Sequence, residues 1–192
     1  MDDLNRVQVF PVTPARWADI ESLFGVRGAC ANCWCMYWRL PHKEYEAMRQ
    51  DQSTRTAFKE IVESGSEPGL IAYQNDQPVG WVCIGPREEF QTLQRSRVLK
   101  PLDEKPVWSV VCFFVARKHR RQGITVDLLQ AAVQYAGAHG AKIVEGYPVQ
   151  TPDDHSPDAF VYTGLPGAFL KVGFVEAGRN AARRPIFRYE IK

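Results

Sequence analysis

The residues most suggestive of chemistry form one short basic stretch, Arg117-Lys118-His119-Arg120-Arg121-Gln122-Gly123-Ile124-Thr125. It follows a nearly continuous apolar run, Trp108 to Val115, and precedes a segment of helical periodicity. A strand that feeds a loop into a helix brings unpaired N–H groups and a partial positive charge to one point. Such a turn is a ready site for a phosphate or pyrophosphate. Gly123 has no Cβ and lets the backbone approach a ligand closely. Arg117, Lys118, Arg120 and Arg121 add side-chain charge. A solvated basic turn is the plain alternative. Two features favour the anion site: the charge is concentrated at a single junction, and Arg120, Gly123 and Thr125 are spaced as Arg-x-x-Gly-x-Thr.

A second unusual stretch is Cys30-Ala31-Asn32-Cys33-Trp34-Cys35-Met36-Tyr37-Trp38-Arg39. Three of the five cysteines fall within six positions. With His42 as a fourth ligand they could hold zinc. As exposed thiols they could serve redox sensing, and as small apolar groups they could simply pack or line a pocket. The paired C-x2-C pattern of a zinc knuckle is missing, so packing or pocket lining has the most weight and no metal is expected.

These groups need a scaffold. Val7 to Phe10 alternates like a short strand, and Thr13-Pro14 looks like a helix start. Trp17, Ile20 and Phe24 follow at helical spacing. Helices are expected over 44–50 and 53–64, with a hairpin of strands at 70–74 and 79–84 across Asn75-Asp76. The stretch 86–105 is polar and irregular, with at most a helical turn near Leu93. The run 108–115 reads as a central strand covered on both faces. Residues 125–138 form the clearest helix, with Leu128, Leu129, Ala132, Val133 and Ala136 on one stripe. A strand at 142–149, a polar loop at 151–157, a short helix at 166–172 and closing strands around Val175 and 185–191 complete the chain. The order β-α-α-β-β-β-α-β-α-β-β predicts an α+β fold on a mixed, mostly antiparallel sheet flanked by helices, as a single domain over 1–192.

Composition narrows the possible functions. At 192 residues, with 45% hydrophobic and 24% charged residues, the chain is in the globular range. Lys+Arg 24 against Asp+Glu 22 leaves a net charge of +2, without the basic excess of a dedicated nucleic-acid binder. No apolar run approaches the roughly 20 residues of a membrane helix. The polar, acidic start Met1-Asp2-Asp3 is unlike a secretory leader. A cytoplasmic protein with neither nucleic-acid nor membrane partner is expected.

Arg120-Arg121-Gln122-Gly123-Ile124-Thr125 resembles the signature Gln/Arg-x-x-Gly-x-Gly/Ala of the GNAT N-acetyltransferase superfamily, with Thr125 in place of the usual Gly or Ala. Pro78-Val79-Gly80-Trp81 resembles the family's second hairpin strand. Phe169-Leu170-Lys171-Val172-Gly173-Phe174 resembles its late helix ending in Gly-Phe. The resemblance runs from about residue 7 to the end. It implies transfer of an acetyl group from acetyl-CoA to an amine in a ternary complex, with monomers and homodimers both common. The backbone of Phe113, Phe114 and Val115 would pair with pantetheine, and a backbone N–H there would polarise the thioester carbonyl. Residues from Arg120 through Arg121, Gln122, Gly123 and Ile124 to Thr125 would hold the pyrophosphate. Phe169 stands where many members carry a tyrosine that protonates the departing thiolate, and is expected beside the co-substrate. Tyr162 is the candidate replacement acid.

An alkylammonium titrates near 10.4, so a base is expected. Glu145, in the apolar strand Ile143-Val144-Glu145-Gly146, is the first candidate, with an exposed or ion-paired carboxylate as the alternative. His155, with Asp153 and Asp154, is the second. Because the family's acceptor pocket lies between the first two helices, Trp34, Tyr37 and Trp38 are expected to line it, with Arg39 available to a carboxylate. A small-molecule amine is the leading acceptor. A protein lysine or N-terminus, or a non-catalytic CoA or thiol sensor, are the alternatives.

Overall fold

A computed structural model describes residues 7–151 and 160–192. Seven strands form one sheet in the order β1-β2-β3-β4-β5-β7-β6. They are β1 Gln8–Pro11, β2 Gly69–Gln74, β3 Gln77–Pro86, β4 Trp108–Val115, β5 Ile143–Gly146, β6 Val175–Ala181 and β7 Arg184–Glu190. Every neighbouring pair is antiparallel except β4 and β5. The helices are α1 Trp17–Phe24, α2 His42–Gln50, α3 Thr54–Glu63, the single turn α4 Gln91–Gln94, α5 Ile124–Ala138 and α6 Pro166–Val172. The mixed, mostly antiparallel α+β architecture agrees with the sequence reading. The helical turn expected near Leu93 is α4, and the helices expected at 44–50 and 53–64 are α2 and α3.

The sheet alternates its side chains between two apolar layers. On one face, Phe24 of α1 and Phe58 of α3 pack on Trp81 with ring centroids 5.7 Å away in each case. On the other, the stripe Leu128, Leu129, Ala132 and Ala136 of α5 is fully buried against β2, β3 and β4, with Val133 at its edge. The periodicity of that segment therefore places α5, and with it the basic turn that begins it.

The parallel contact of β4 with β5 is short. Trp108, Ser109 and Val110 pair with Val144, Glu145 and Gly146, and there β5 ends. β4 runs on to Val115. Beyond Val110 one edge of the central strand is thus released from the sheet. Phe169 of α6 lies over the end of β5, fully buried against Phe113, Phe174 and Phe187. Gly146 is what permits this approach, since a Cβ there would lie 2.1 Å from the Phe169 ring. Gly146→Ala is expected to destabilise the fold by about 1–3 kcal/mol through overpacking, read as a lower urea midpoint with an unchanged slope.

Candidate functional site

The cleft is built on the free edge of β4. Ala116 N–H donates to the Val79 carbonyl at 2.9 Å, so in antiparallel register Phe114 also turns its backbone to β3. Phe113 and Val115 face the other way, into the gap left by β5. This parity corrects the expectation for Phe114. Its backbone belongs to the sheet, and its ring packs on Phe24 at 5.7 Å. The Phe113 N–H is also engaged, because it donates to the Tyr162 carbonyl at 2.6 Å. One of the two amides on the free edge therefore bridges the gap to the segment before α6, which leaves that of Val115 for the expected thioester contact. The Val115 carbonyl accepts from Arg120 Nε at 2.9 Å, tying the basic turn to the strand end.

The turn itself follows from two left-handed residues, Arg121 at φ 61° and Gly123 at φ 88°. Gly123 caps α5, and its missing Cβ faces open space. Val126 N–H donates to the Gly123 carbonyl at 2.7 Å, while the N–H groups of Ile124 and Thr125, at the very start of α5, have no acceptor within the helix. Gln122 Nε2 braces the loop by donating to the Lys118 carbonyl at 3.1 Å. Gly123, Ile124 and Thr125 line the cleft together with Arg117, Arg120 and Arg121. Such an arrangement suits a polyanion. Gly167, Ala168 and Lys171 of α6 form the opposite wall.

The cleft has a volume of about 1400 Å³ and continues past Phe113 to a second end made by the cysteine-rich segment. Cys30, Cys33, Cys35 and Tyr37 line that end with Cys112 of β4 and Tyr162. Cys35 Sγ lies 3.8 Å from Cys112 Sγ and accepts from Trp81 Nε1 at 3.1 Å. Donation to Cys112, with burial, keeps the Cys35 thiol well above its ordinary value. Burial pushes the Cys33 thiol up to about 11. These groups stay neutral thiols at physiological pH, which suits lining rather than nucleophilic work. Among the described residues no three His, Cys, Asp or Glu side chains are grouped as a metal site, so Cys30, Cys33, Cys35 and His42 are not assembled as the zinc alternative requires.

Of the four residues expected at the acceptor, the structure brings Tyr37 and Trp38 to the cleft. Trp34 is not there. It is buried in the core, stacked on Trp17 at 5.9 Å, with Gly28 so close that a Cβ would lie 2.2 Å from its indole nitrogen. Arg39 is also elsewhere. Its guanidinium is buried beneath Phe90 and donates to Glu89 at 2.9 Å and to the Pro68 carbonyl at 3.2 Å. Phe169, as described, is core and outside the cleft lining.

Glu145 is corrected more sharply. It is fully buried and away from the cleft. Oε1 accepts from Arg87 at 3.0 Å and from the Tyr147 hydroxyl at 2.7 Å, and Oε2 accepts from Arg188 at 2.8 Å. Three hydrogen bonds take most of the carboxylate's acceptor sites, and with no exposed surface it cannot reach a substrate amine in the cleft. The ion-paired alternative is the one the structure shows. Asp153, Asp154 and His155 lie outside the described residues. Tyr162 is at the cleft, with its ring 6.4 Å from that of Trp38, and burial holds its hydroxyl protonated above the ordinary tyrosine value.

Beside the cleft lies a second cavity of about 510 Å³, walled by the same Tyr37, Trp38 and Tyr162. His42, Arg95 and Arg184 complete it. They come from α2, the turn after α4 and the start of β7; sequence reading raised His42 only as a possible zinc ligand and did not single out Arg95 or Arg184. No local spacing links them, so only the fold could reveal the grouping.

Residues 34–160, well over half of the chain, match the model of the acetyltransferase (GNAT) family, and the chain belongs to that family. Solved structures agree on the fold. PaiA N-acetyltransferase from Thermoplasma acidophilum, in complex with coenzyme A, is 12% identical with a TM-score of 0.53 over 97% of this chain and 99% of that one. A GNAT-family acetyltransferase from Listeria monocytogenes is 11% identical with a TM-score of 0.55, over 96% and 95%. The NatC complex bound to Gag peptide and CoA gives 12% and 0.51, over 97% and 99%. No curated protein matches the chain in sequence.

Replacing Glu145 separates a structural role from a catalytic one. Glu145→Gln leaves Arg87 and Arg188 facing one another, and is expected to cost about 3–5 kcal/mol of stability by urea unfolding. Turnover per folded molecule is expected to survive.

Proposed function

We propose that the protein is an acetyl-CoA-dependent N-acetyltransferase that acts on a small-molecule amine. The observation that carries this reading is the single continuous cleft, which joins the arginine-rich, left-handed turn of α5 to the aromatic end at Tyr37, Trp38 and Tyr162 across the released edge of β4. One end suits a pyrophosphate and the other an organic acceptor. The coenzyme-bound PaiA structure, similar in fold, supports the assignment of the donor. A polypeptide amine is the second reading, favoured by the likeness to the peptide-bound NatC structure.

Acetyl-CoA would supply an activated thioester with a thiolate leaving group. Arg117, Arg120 and Arg121, with the first N–H groups of α5, would hold its phosphates. The Val115 edge is positioned to meet the pantetheine. Holding donor and acceptor in one channel provides most of the acceleration through proximity. Tyr162, kept protonated by burial, would donate to the departing sulfur. Glu46 is the one carboxylate among the described cleft residues, and its hydrogen bond with Arg49 at 2.8 Å holds its carboxyl below the ordinary value. That makes Glu46 a weak base, so the ammonium proton is lost to water.

Thermal melts with acetyl-CoA test the donor. Ligand at 100 times its dissociation constant is expected to add about 2.7 kcal/mol, a rise of roughly 5–10 °C for a domain of this size. No shift at any concentration would overturn the reading. Thiol release over an amine panel then tests turnover.

The proton bookkeeping makes a second prediction. kcat/KM is expected to climb through pH 7–9 as the free amine accumulates, toward the ammonium value of about 10.4. Tyr162 is the acid in its protonated form, and its value is raised, so no falling limb is expected below the ordinary tyrosine value of about 10. Tyr162→Phe is expected to lower kcat on the order of 10²-fold with little change in the KM for acetyl-CoA.

A further inference from the structure

The second cavity carries a feature that the acetyl-transfer reading leaves unexplained. Arg184 Nε and Trp38 Nε1 are both buried, and neither has a hydrogen-bond partner. Trp38 is only 6% exposed. Burying an N–H without an acceptor is unfavourable, and Arg184 as a whole is only partly buried. No Asp or Glu lines this cavity among the described residues, whereas Arg95 and His42 do. Among the described residues, the titratable groups that line the cavity with Arg184 are therefore His42, Arg95, Tyr37 and Tyr162, with no carboxylate. Desolvation lowers the Arg184 value from its ordinary one, and the groups acting against that shift are the hydroxyls of Tyr162 and Tyr37, not a carboxylate.

The neutral donors point the same way. Thr92 Oγ1 is committed to the Leu40 carbonyl at 2.6 Å. Ser96 Oγ accepts from the Leu99 N–H at 3.1 Å and keeps its own hydrogen to donate. The cavity is thus lined by the guanidinium of Arg184, the indole of Trp38 and the hydroxyl of Ser96, and among the described residues no carboxylate lines it. Its volume of about 510 Å³ is within the range of roughly 300–1,000 Å³ usual for small-molecule sites. Tyr37, Trp38 and Tyr162 wall both this cavity and the cleft. A molecule that reaches across those rings presents one end to the reaction and the other to Arg184.

We propose that this cavity binds the carboxylate of the acceptor through the Arg184 guanidinium and the Ser96 hydroxyl, against the wall of Trp38, so that the substrates are amines that also bear a carboxylate, as free amino acids do. A planar carboxylate matches the fork of a single guanidinium, and the remaining donors are neutral, which fits a monoanion. The assignment rests on the acetyl-transfer reading for its amine, but the carboxylate site is a claim about binding that can fail separately.

The test uses the full chain and two readouts. In the first, N-acetylated glycine, leucine, phenylalanine, glutamate and lysine are each titrated against the corresponding carboxamide by Trp fluorescence, without coenzyme. At least one acid is expected to bind tighter than its amide by about 10- to 100-fold. Arg184→Gln is expected to abolish that preference while leaving the affinity for coenzyme A unchanged, which also reports that the variant is folded. Arg184→Lys, which keeps the charge without the fork, is expected to recover part of it. In the second readout, thiol release from acetyl-CoA is compared for the free amino acids and their amides, with the difference expected in KM.

Equal binding of every acid and its amide overturns the proposal. So does a preference that survives Arg184→Gln, or an Arg184-dependent response to inorganic phosphate with none to any carboxylate. Carboxylate binding without thiol release on any amine would instead count against the acetyl-transfer reading and leave the carboxylate site standing.

Discussion

The buried carboxylate of Glu145 is the constraint on which the architecture turns. A charge with no solvent contact persists only where its neighbours neutralise and hydrogen-bond it. Arg87, Arg188 and Tyr147 do so, and Ser109 extends the cluster through the Tyr147 hydroxyl at 2.7 Å. Those partners come from β4, β7, the turn after β3 and the residue that follows β5. The cluster therefore fastens β5 between its neighbours at the residues where β4 and β5 still pair. One residue further, at Gly146, the pairing stops and the cleft opens. The ion cluster and the gap are two sides of one arrangement: a rigid joint, then a strand edge set free.

Local charge does the rest. A chain of net charge +2 cannot attract a polyanion through its overall field. The α5 turn concentrates arginine side chains, helix N–H groups and a left-handed glycine in one place. The tie from Arg120 to the Val115 carbonyl keeps this cradle in register with the open strand edge. The basic turn and the strand edge are thus positioned by the same buried stripe of α5.

Features read from local periodicity were legible in the sequence. β4 announced itself as an apolar run, α5 as a 3.6-residue stripe, and the basic turn as the junction between them. The cysteine and tryptophan segment was not, for a physical reason. Ala29, Ala31, Asn32, Trp34 and Cys35 all adopt left-handed backbone, so side-chain direction there obeys neither helical nor strand spacing. That is why Trp34 turns into the core while Trp38, four residues on, reaches the cleft. Glu145 was misleading in another way. Its partners Arg87 and Arg188 are 58 and 43 residues distant, and pairing at such range leaves no local trace. Arg184 was invisible for the same reason, since its meaning lies in the absence of a partner.

Phe169 has a consequence for how this chain can change over generations. Its ring is clasped where Cβ atoms on Gly146 and Gly164 would fall 2.1 and 2.8 Å away, and no part of it meets solvent. A tyrosine at this position would need space and a hydrogen-bond partner for a new buried hydroxyl. The two glycines and the phenylalanine are thus constrained together. A hydroxyl on this ring could not enter by one substitution without loosening the clasp, because the space and the partner it needs would have to come from other positions.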